Sequence, residues 1–209
     1  MRLQILGAGV LAPGEDGRVA DPDPPARFNP RALRRITRLT GLALPCVEHA
    51  LGERTPDASM GLVVGTGLAD LEQTSGLLDG VHTRGAAYAS PQMFQRSVHG
   101  AVAGELAILY GLRGYNLTVT QGLRSAEAAL ELADLAIRAG RCTTCLCVAV
   151  DAVSPALLEA MSALGRPPPA EGAAAVLLGG GEAIEWDPGE PGSYGAAALV
   201  RVAQAWLPG

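Results

Sequence analysis

Apolar residues along the chain fall into two kinds of run. Short runs that are apolar on both faces lie at Leu3–Val10, Gly61–Gly65, Asn116–Thr120, Cys145–Val150 and Ala173–Leu178. Such runs predict strands of a sheet covered by helices on each side. Longer runs at Arg31–Leu51, Gly100–Tyr110 and Ser125–Ala139 predict helices. Asn29 is placed to cap the first helix, with Pro30 at its first position, and Gly140 stops the third. The order β-α-β-α-β-α-β-β predicts an α/β fold with a mostly parallel sheet. Three segments lack clear periodicity. Gly14–Pro25 is acidic and proline-rich and reads as an exposed loop. Asp70–Arg96 mixes small polar residues and holds a candidate short helix at Leu71–Leu78. Gly179–Gly195 is rich in Gly, Pro and Glu. The end, Ala196–Leu207, has helical spacing and fits a last helix or strand.

Composition narrows the classes. The chain has 209 residues, 48% of them hydrophobic, which is enough for one sizeable domain with a real core. Only 4% are aromatic, so aliphatic and alanine packing must build that core. A net charge of -5 argues against nucleic acid or an anionic membrane as partner. Every basic residue is arginine, which excludes Schiff-base chemistry and a phosphate-loop lysine. No apolar segment has the length of a membrane helix, and the apolar N-terminus ends in a Gly/Pro turn instead of a cleavage site. The cytoplasm is the expected location, and no cofactor is expected.

Candidate chemistry is sparse. Gly7-Ala8-Gly9 suggests a dinucleotide fingerprint, but Ala12 and Pro13 stand where the third glycine and the helix start belong, so a turn after the first strand is preferred. Gly65-Thr66-Gly67 reads as a tight bend. The run Cys142-Thr143-Thr144-Cys145-Leu146-Cys147 looks like a metal cluster. Strand alternation puts Cys145 and Cys147 on one face and Cys142 on the other, no His or second Cys pair completes four ligands, and buried free thiols are expected instead. Among His49, His82 and His99, only His99, just before an apolar helix, is an attractive base, and a helix-entry histidine bonded to backbone is the preferred reading. After the strand Asn116–Thr120, Ser125 suits a helix N-cap better than a nucleophile, and Glu127 and Glu131 fit a solvated helix face. Arg31, Arg34, Arg35 and Arg38 fall on one side of the first helix and form either a basic patch or an ordinary solvated face.

Taken in order, several pieces resemble the N-terminal half of a β-ketoacyl synthase of the thiolase-like superfamily. They are ILGAGVLAPG, GLVVGTGLADLEQTSGLL, ASPQMFQRSVHGAVAGELAILYGLRGYNLTVT and SAEAALELADLAIRAGRCTTCLCVAVDAVSP. Active members carry a cysteine at the turn between strand and helix, where the helix N-terminus helps form the thiolate. Here Leu123 takes that position, and leucine cannot be a nucleophile. The family's catalytic histidines lie in a C-terminal half with no counterpart in this sequence, which is therefore expected to form one ketosynthase-like half-domain over 1–209.

SVHGAVAG is close to a run of the short, chain-length-factor-like subunits of type II polyketide and aryl-polyene systems. The resemblance implies a thiolase-like half-fold with a five-stranded sheet and no catalytic residue of its own. It implies pairing with a full-length ketosynthase through Asn116, Leu117, Thr118, Val119 and Thr120, an edge strand being an association surface unless it is covered. It also implies that Met93, Phe94, His99 and Leu123 line the partner's acyl tunnel. An acyl carrier protein is a further candidate partner. Two alternatives stay open: a stand-alone acyltransferase or thioesterase using Ser125 and His99, and a homodimeric scaffold.

Overall fold

A computed structural model describes residues 3–184 and 195–207. The chain opens with β1 (Leu3–Leu11), followed by a long loop, a single helical turn α1 (Pro30–Leu33) and α2 (Arg38–Leu51). Next come β2 (Gly61–Gly65), α3 (Leu71–Arg84), α4 (Pro91–Ser97), α5 (Ala101–Tyr110) and β3 (Asn116–Val119). The last elements are α6 (Ser125–Arg138), β4 (Thr144–Asp151), α7 (Pro155–Ala163), β5 (Gly172–Ile184) and α8 (Ala197–Trp206). Among the described residues no helix is long and apolar enough to cross a membrane.

The five strands lie in the order β1-β5-β4-β2-β3. β2 pairs in parallel with β3 and β4, whereas β5 runs antiparallel to both β4 and β1. The expectation of a mostly parallel sheet is therefore refined. Four strands share one direction, but the reversed β5 splits the pairings evenly between parallel and antiparallel. Its reversal follows from its connection, because the α7 segment returns the chain to the end of the sheet where β4 finished.

Alternation within β4 shows how the core divides. Leu146, Val148 and Val150 face α2 and α5, while Cys145, Cys147 and Ala149 face α6 and α8. Both faces are covered, which is why the strands read as continuous apolar runs. Small residues let the layers close up. A Cβ on Gly7 would collide with the carbonyl oxygen of Ala50, and one on Gly9 with that of Cys46, so these glycines lie inside β1 and admit α2 rather than forming a turn after the strand. Cys142 shares the α6 side with Cys145 and Cys147, contrary to the alternation argument. It precedes the first residue of β4, Thr144, so the two-residue period does not reach it. All four cysteines are buried and free.

Asn29 caps α1 as expected, its Oδ1 accepting from the Arg31 amide at 2.8 Å. The helix foreseen over Arg31–Leu51, however, is broken. Thr37 is extended (φ -82°, ψ 167°) and α2 starts afresh at Arg38. The break turns Arg38 inward onto the fully buried Glu171, so the four arginines do not share one helix. Arg38 Nε and Nη2 donate to the two carboxylate oxygens of Glu171 at 3.1 and 2.8 Å. Glu171 also accepts from the amides of Val19 and Val153 at 2.9 and 3.0 Å. One carboxylate thus ties the loop after β1, the start of α2 and the exit of β4 to the entry of β5. Burial alone would raise its pKa, but the Arg38 hydrogen bonds and the two amides outweigh that and hold it below the usual glutamate range.

Candidate functional site

The strand-to-helix elbow is built from the end of β3, a 3-10 turn at Gly122–Arg124 and the start of α6. Gly122 has φ +58°, a conformation that glycine adopts without penalty. Two further glycines bring β2 and its turn against the elbow. A Cβ on Gly65 would strike the Ser125 carbonyl oxygen, and one on Gly67 would lie 2.7 Å from that of Gly122. The Gly65-Thr66-Gly67 bend is therefore a close-approach site, which the side-chain-free glycines make possible.

Asp151, at the end of β4, fixes this arrangement from beneath. Its Oδ1 accepts from Thr66 Oγ1 at 3.0 Å and from the amides of Gly67 and Leu68 at 2.8 and 3.0 Å. Its Oδ2 is buried on the side where the Gly195 amide adds a further hydrogen bond to the carboxyl group. A Cβ on Gly195 would fall 2.6 Å from Oδ2, so the chain entering α8 also closes on this carboxyl group. Burial pushes the Asp151 pKa up against the opposing pull of these donors.

Within this frame Leu123 occupies the middle of the 3-10 turn with half its surface exposed. Ser125 is not an N-cap. It is the first residue of α6, fully buried, and its hydroxyl turns back into the elbow. There Oγ accepts from the Gln121 amide at 2.9 Å and donates to the Gly122 carbonyl at 2.7 Å. His99 lies exposed in the joint between α4 and α5, and no hydrogen bond links it to Ser125. Glu127, expected on a solvated face, is buried at 4% exposure because α6 turns that side inward too.

Among the described residues β3 forms one edge of the sheet and pairs with β2 alone. Its alternation decides what it offers outward. The carbonyls of Tyr115 and Val119 accept from β2-side amides of Leu62 and Thr66 at 2.7 and 3.1 Å. In a parallel strand one residue's N–H and C=O point the same way, so Asn116 and Thr118 present theirs to the open edge. Thr120 lies beyond the strand and is exposed. Leu117 and Val119 pack against the α6–α8 side of the core.

The helices between β2 and α5 lie largely exposed. α3, a 3-10 turn at Ala86–Tyr88 and α4 contain no buried residue. Yet Leu78, Tyr88 and Phe94 are each at least 60% exposed, and Ile108 on α5 reaches 83%. Met93 is half-buried, its Cε resting against Gly76 of α3. α4 itself was not foreseen, nor was α7. Both carry a Ser-Pro start that could have revealed them. Ser90 and Ser154 cap the two helices, accepting from the amides of Met93 and Leu157 at 3.3 and 3.2 Å.

No metal-binding group of His, Cys, Asp or Glu is present among the described residues. Burial pushes the Cys46 thiol up to about 12 and raises those of Cys142, Cys145 and Cys147 as well. None is a ready nucleophile.

The family model described as "Beta-ketoacyl synthase, N-terminal domain" matches residues 18–177. No curated protein sequence matches the chain. Solved structures that share its fold include the following three. The ishigamide ketosynthase/chain length factor superposes with TM-score 0.73 at 24% identity, over 88% of this chain and 64% of that one. A ketosynthase (ApeO) in complex with its chain length factor (ApeC) from Xenorhabdus doucetiae gives 0.75 at 20%, over 99% and 91%. AntDE:AntF, a type II acyl-carrier protein in complex with its ketosynthase, gives 0.67 at 21%, over 85% and 62%. The chain thus spans less than two thirds of two of these relatives and nearly all of the third.

Proposed function

We propose, from the premise that the chain belongs to the β-ketoacyl synthase N-terminal-domain family, that it is a non-catalytic subunit of the chain-length-factor kind. Its partner is an active β-ketoacyl-ACP synthase of a polyketide, aryl-polyene or fatty-acid-like pathway. The observation that carries this reading is Leu123. In this reading Leu123, in the turn between β3 and α6, is a hydrocarbon at the position where the reaction needs a thiolate. Ser125 offers no substitute, because its hydroxyl already donates to Gly122 and accepts from Gln121 inside the turn. The fold itself is expected to remain a single ketosynthase-like half-domain, in the cytoplasm and without a cofactor.

In this reading β3 extends the sheet into the partner through the outward groups of Asn116 and Thr118, with Leu117, Val119 and Thr120 completing the interface. The exposed apolar residues of α3–α4 continue the contact. Met93, Phe94, His99 and Leu123 line one wall of the partner's acyl tunnel. A packed wall resists each extra methylene by about 1–3 kcal/mol, which is enough to set a chain length. An acyl carrier protein would deliver the substrate to the partner's thiolate.

The test is where the acyl group goes. Both subunits are incubated with an acyl-carrier thioester and each is weighed intact. The expected result is an acyl adduct on the ketosynthase and none on this chain. An adduct on this chain that disappears in Ser125→Ala would replace the proposal with acyl transfer by Ser125 and His99. A chain that forms only a homodimer would favour a scaffold instead.

A further inference from the structure

We propose that the groove between the proline-rich loop and α2 binds a long-chain carboxylate, at a site separate from the elbow and the β3 edge. The groove encloses about 650 Å³, within the usual range for small-molecule sites. Pro22, Pro25, Phe28, Leu33, Ile36 and Leu44 make its walls apolar.

The loop wall is held open in advance. At one end the Val19 amide donates to Glu171 and the Val19 carbonyl accepts from Arg38 Nη2 at 2.8 Å. At the other end Arg27 pairs with Glu48 at 2.9 Å. Phe28 stands edge-on to Tyr110 with ring centroids 5.2 Å apart, and the Tyr110 hydroxyl donates to Glu48 at 2.6 Å. A loop fixed at both ends need not collapse into the space beneath it.

The floor of the groove is Gly41, inside α2. Glycine weakens a helix interior, and here no packing demand explains it, since a Cβ on Gly41 would meet nothing within 4 Å. The missing side chain leaves room at the floor.

Charge at the mouth selects the head group. Asp21 shares Arg38 with the buried Glu171 there, and Arg34 is a lining charge with no ion-pair partner among the described residues. Exposed Arg31 and Arg35 flank it. An apolar slot with a guanidinium rim suits a carboxylate amphiphile, whose chain fills the slot while the head group stays at the wet rim.

Dodecanoate serves as the probe, titrated calorimetrically into the full chain, with dodecyltrimethylammonium as a control of equal chain length. Saturable binding of one dodecanoate is expected, with at least tenfold weaker binding of the cation. Gly41→Leu fills the floor and should weaken dodecanoate binding at least tenfold without lowering the melting temperature. Arg34→Glu, on the surface, should weaken dodecanoate and favour the cation. Absence of saturable binding, equal binding of both amphiphiles, or affinity unchanged in Gly41→Leu would overturn the assignment. Binding that vanishes when the ketosynthase is bound would assign the groove to that interface and overturn it as well. None of these outcomes depends on whether Leu123 faces an acyl tunnel.

Discussion

Thr118→Pro isolates what the open edge of β3 contributes. Thr118 directs its N–H away from β2, whose contacts are made through Tyr115 and Val119. Proline there removes one outward donor, leaves the β2 ladder intact and keeps a φ compatible with an edge strand. In a sheet continued into a partner, the lost bond strands an acceptor at a buried interface. That costs about 1–3 kcal/mol, or roughly a 5- to 150-fold rise in Kd. The ring adds a steric penalty of the same sign. The assay is the Kd for the ketosynthase by surface plasmon resonance, with a thermal melt of the lone chain alongside. The expected result is weaker binding with the melt unchanged. Val119→Pro removes an N–H that points toward β2, on the side where the Val119 carbonyl accepts from Thr66, and should instead lower the melting temperature. Unaltered affinity in Thr118→Pro would refute pairing through β3.

Two further predictions concern the core and the thiols. Glu171→Gln should destabilise the fold by about 3–5 kcal/mol, because it leaves Arg38 half-buried beside a neutral amide; chemical denaturation measures this. Because the folded pKa of Glu171 is lowered, its contribution is present above the ordinary glutamate range and disappears as pH falls through the folded value. The variant should therefore lose the acid limb of the stability profile that the wild type shows. Wild-type protein should resist iodoacetamide at pH 8, since all four thiols are buried with raised pKa values. Leu123→Cys, at a half-exposed helix start, should gain one fast-reacting site by intact mass.

Much of the fold was legible because its signals are local. Gly61–Gly65 is a strand in sequence and structure alike, since a strand buried on both faces cannot hide its apolar run. Asn29-Pro30 announces a helix start that the structure keeps. What stayed hidden depends on contacts far apart along the chain. Glu171 meets Arg38 and Val19 across more than a hundred residues, and nothing near any of them in sequence announces the meeting. The helix predicted through Arg34 and Arg35 is broken at Thr37, between α1 and α2. β5 reverses the sheet's last pairings for a topological reason that apolar patterning does not carry. At the elbow, the motif alone carries the expectation for Leu123. The roles of Ser125, Glu127 and Asp151 needed the geometry, because a serine or carboxylate beside a helix start reads as solvated until burial is seen.

The account rests on this chain needing a ketosynthase beside it. Co-expression of the two, followed by native mass spectrometry of the purified product, measures that directly. A one-to-one complex carrying its acyl group on the ketosynthase alone is the predicted result. Two proteins that purify apart, with this chain acylated by itself, would contradict it.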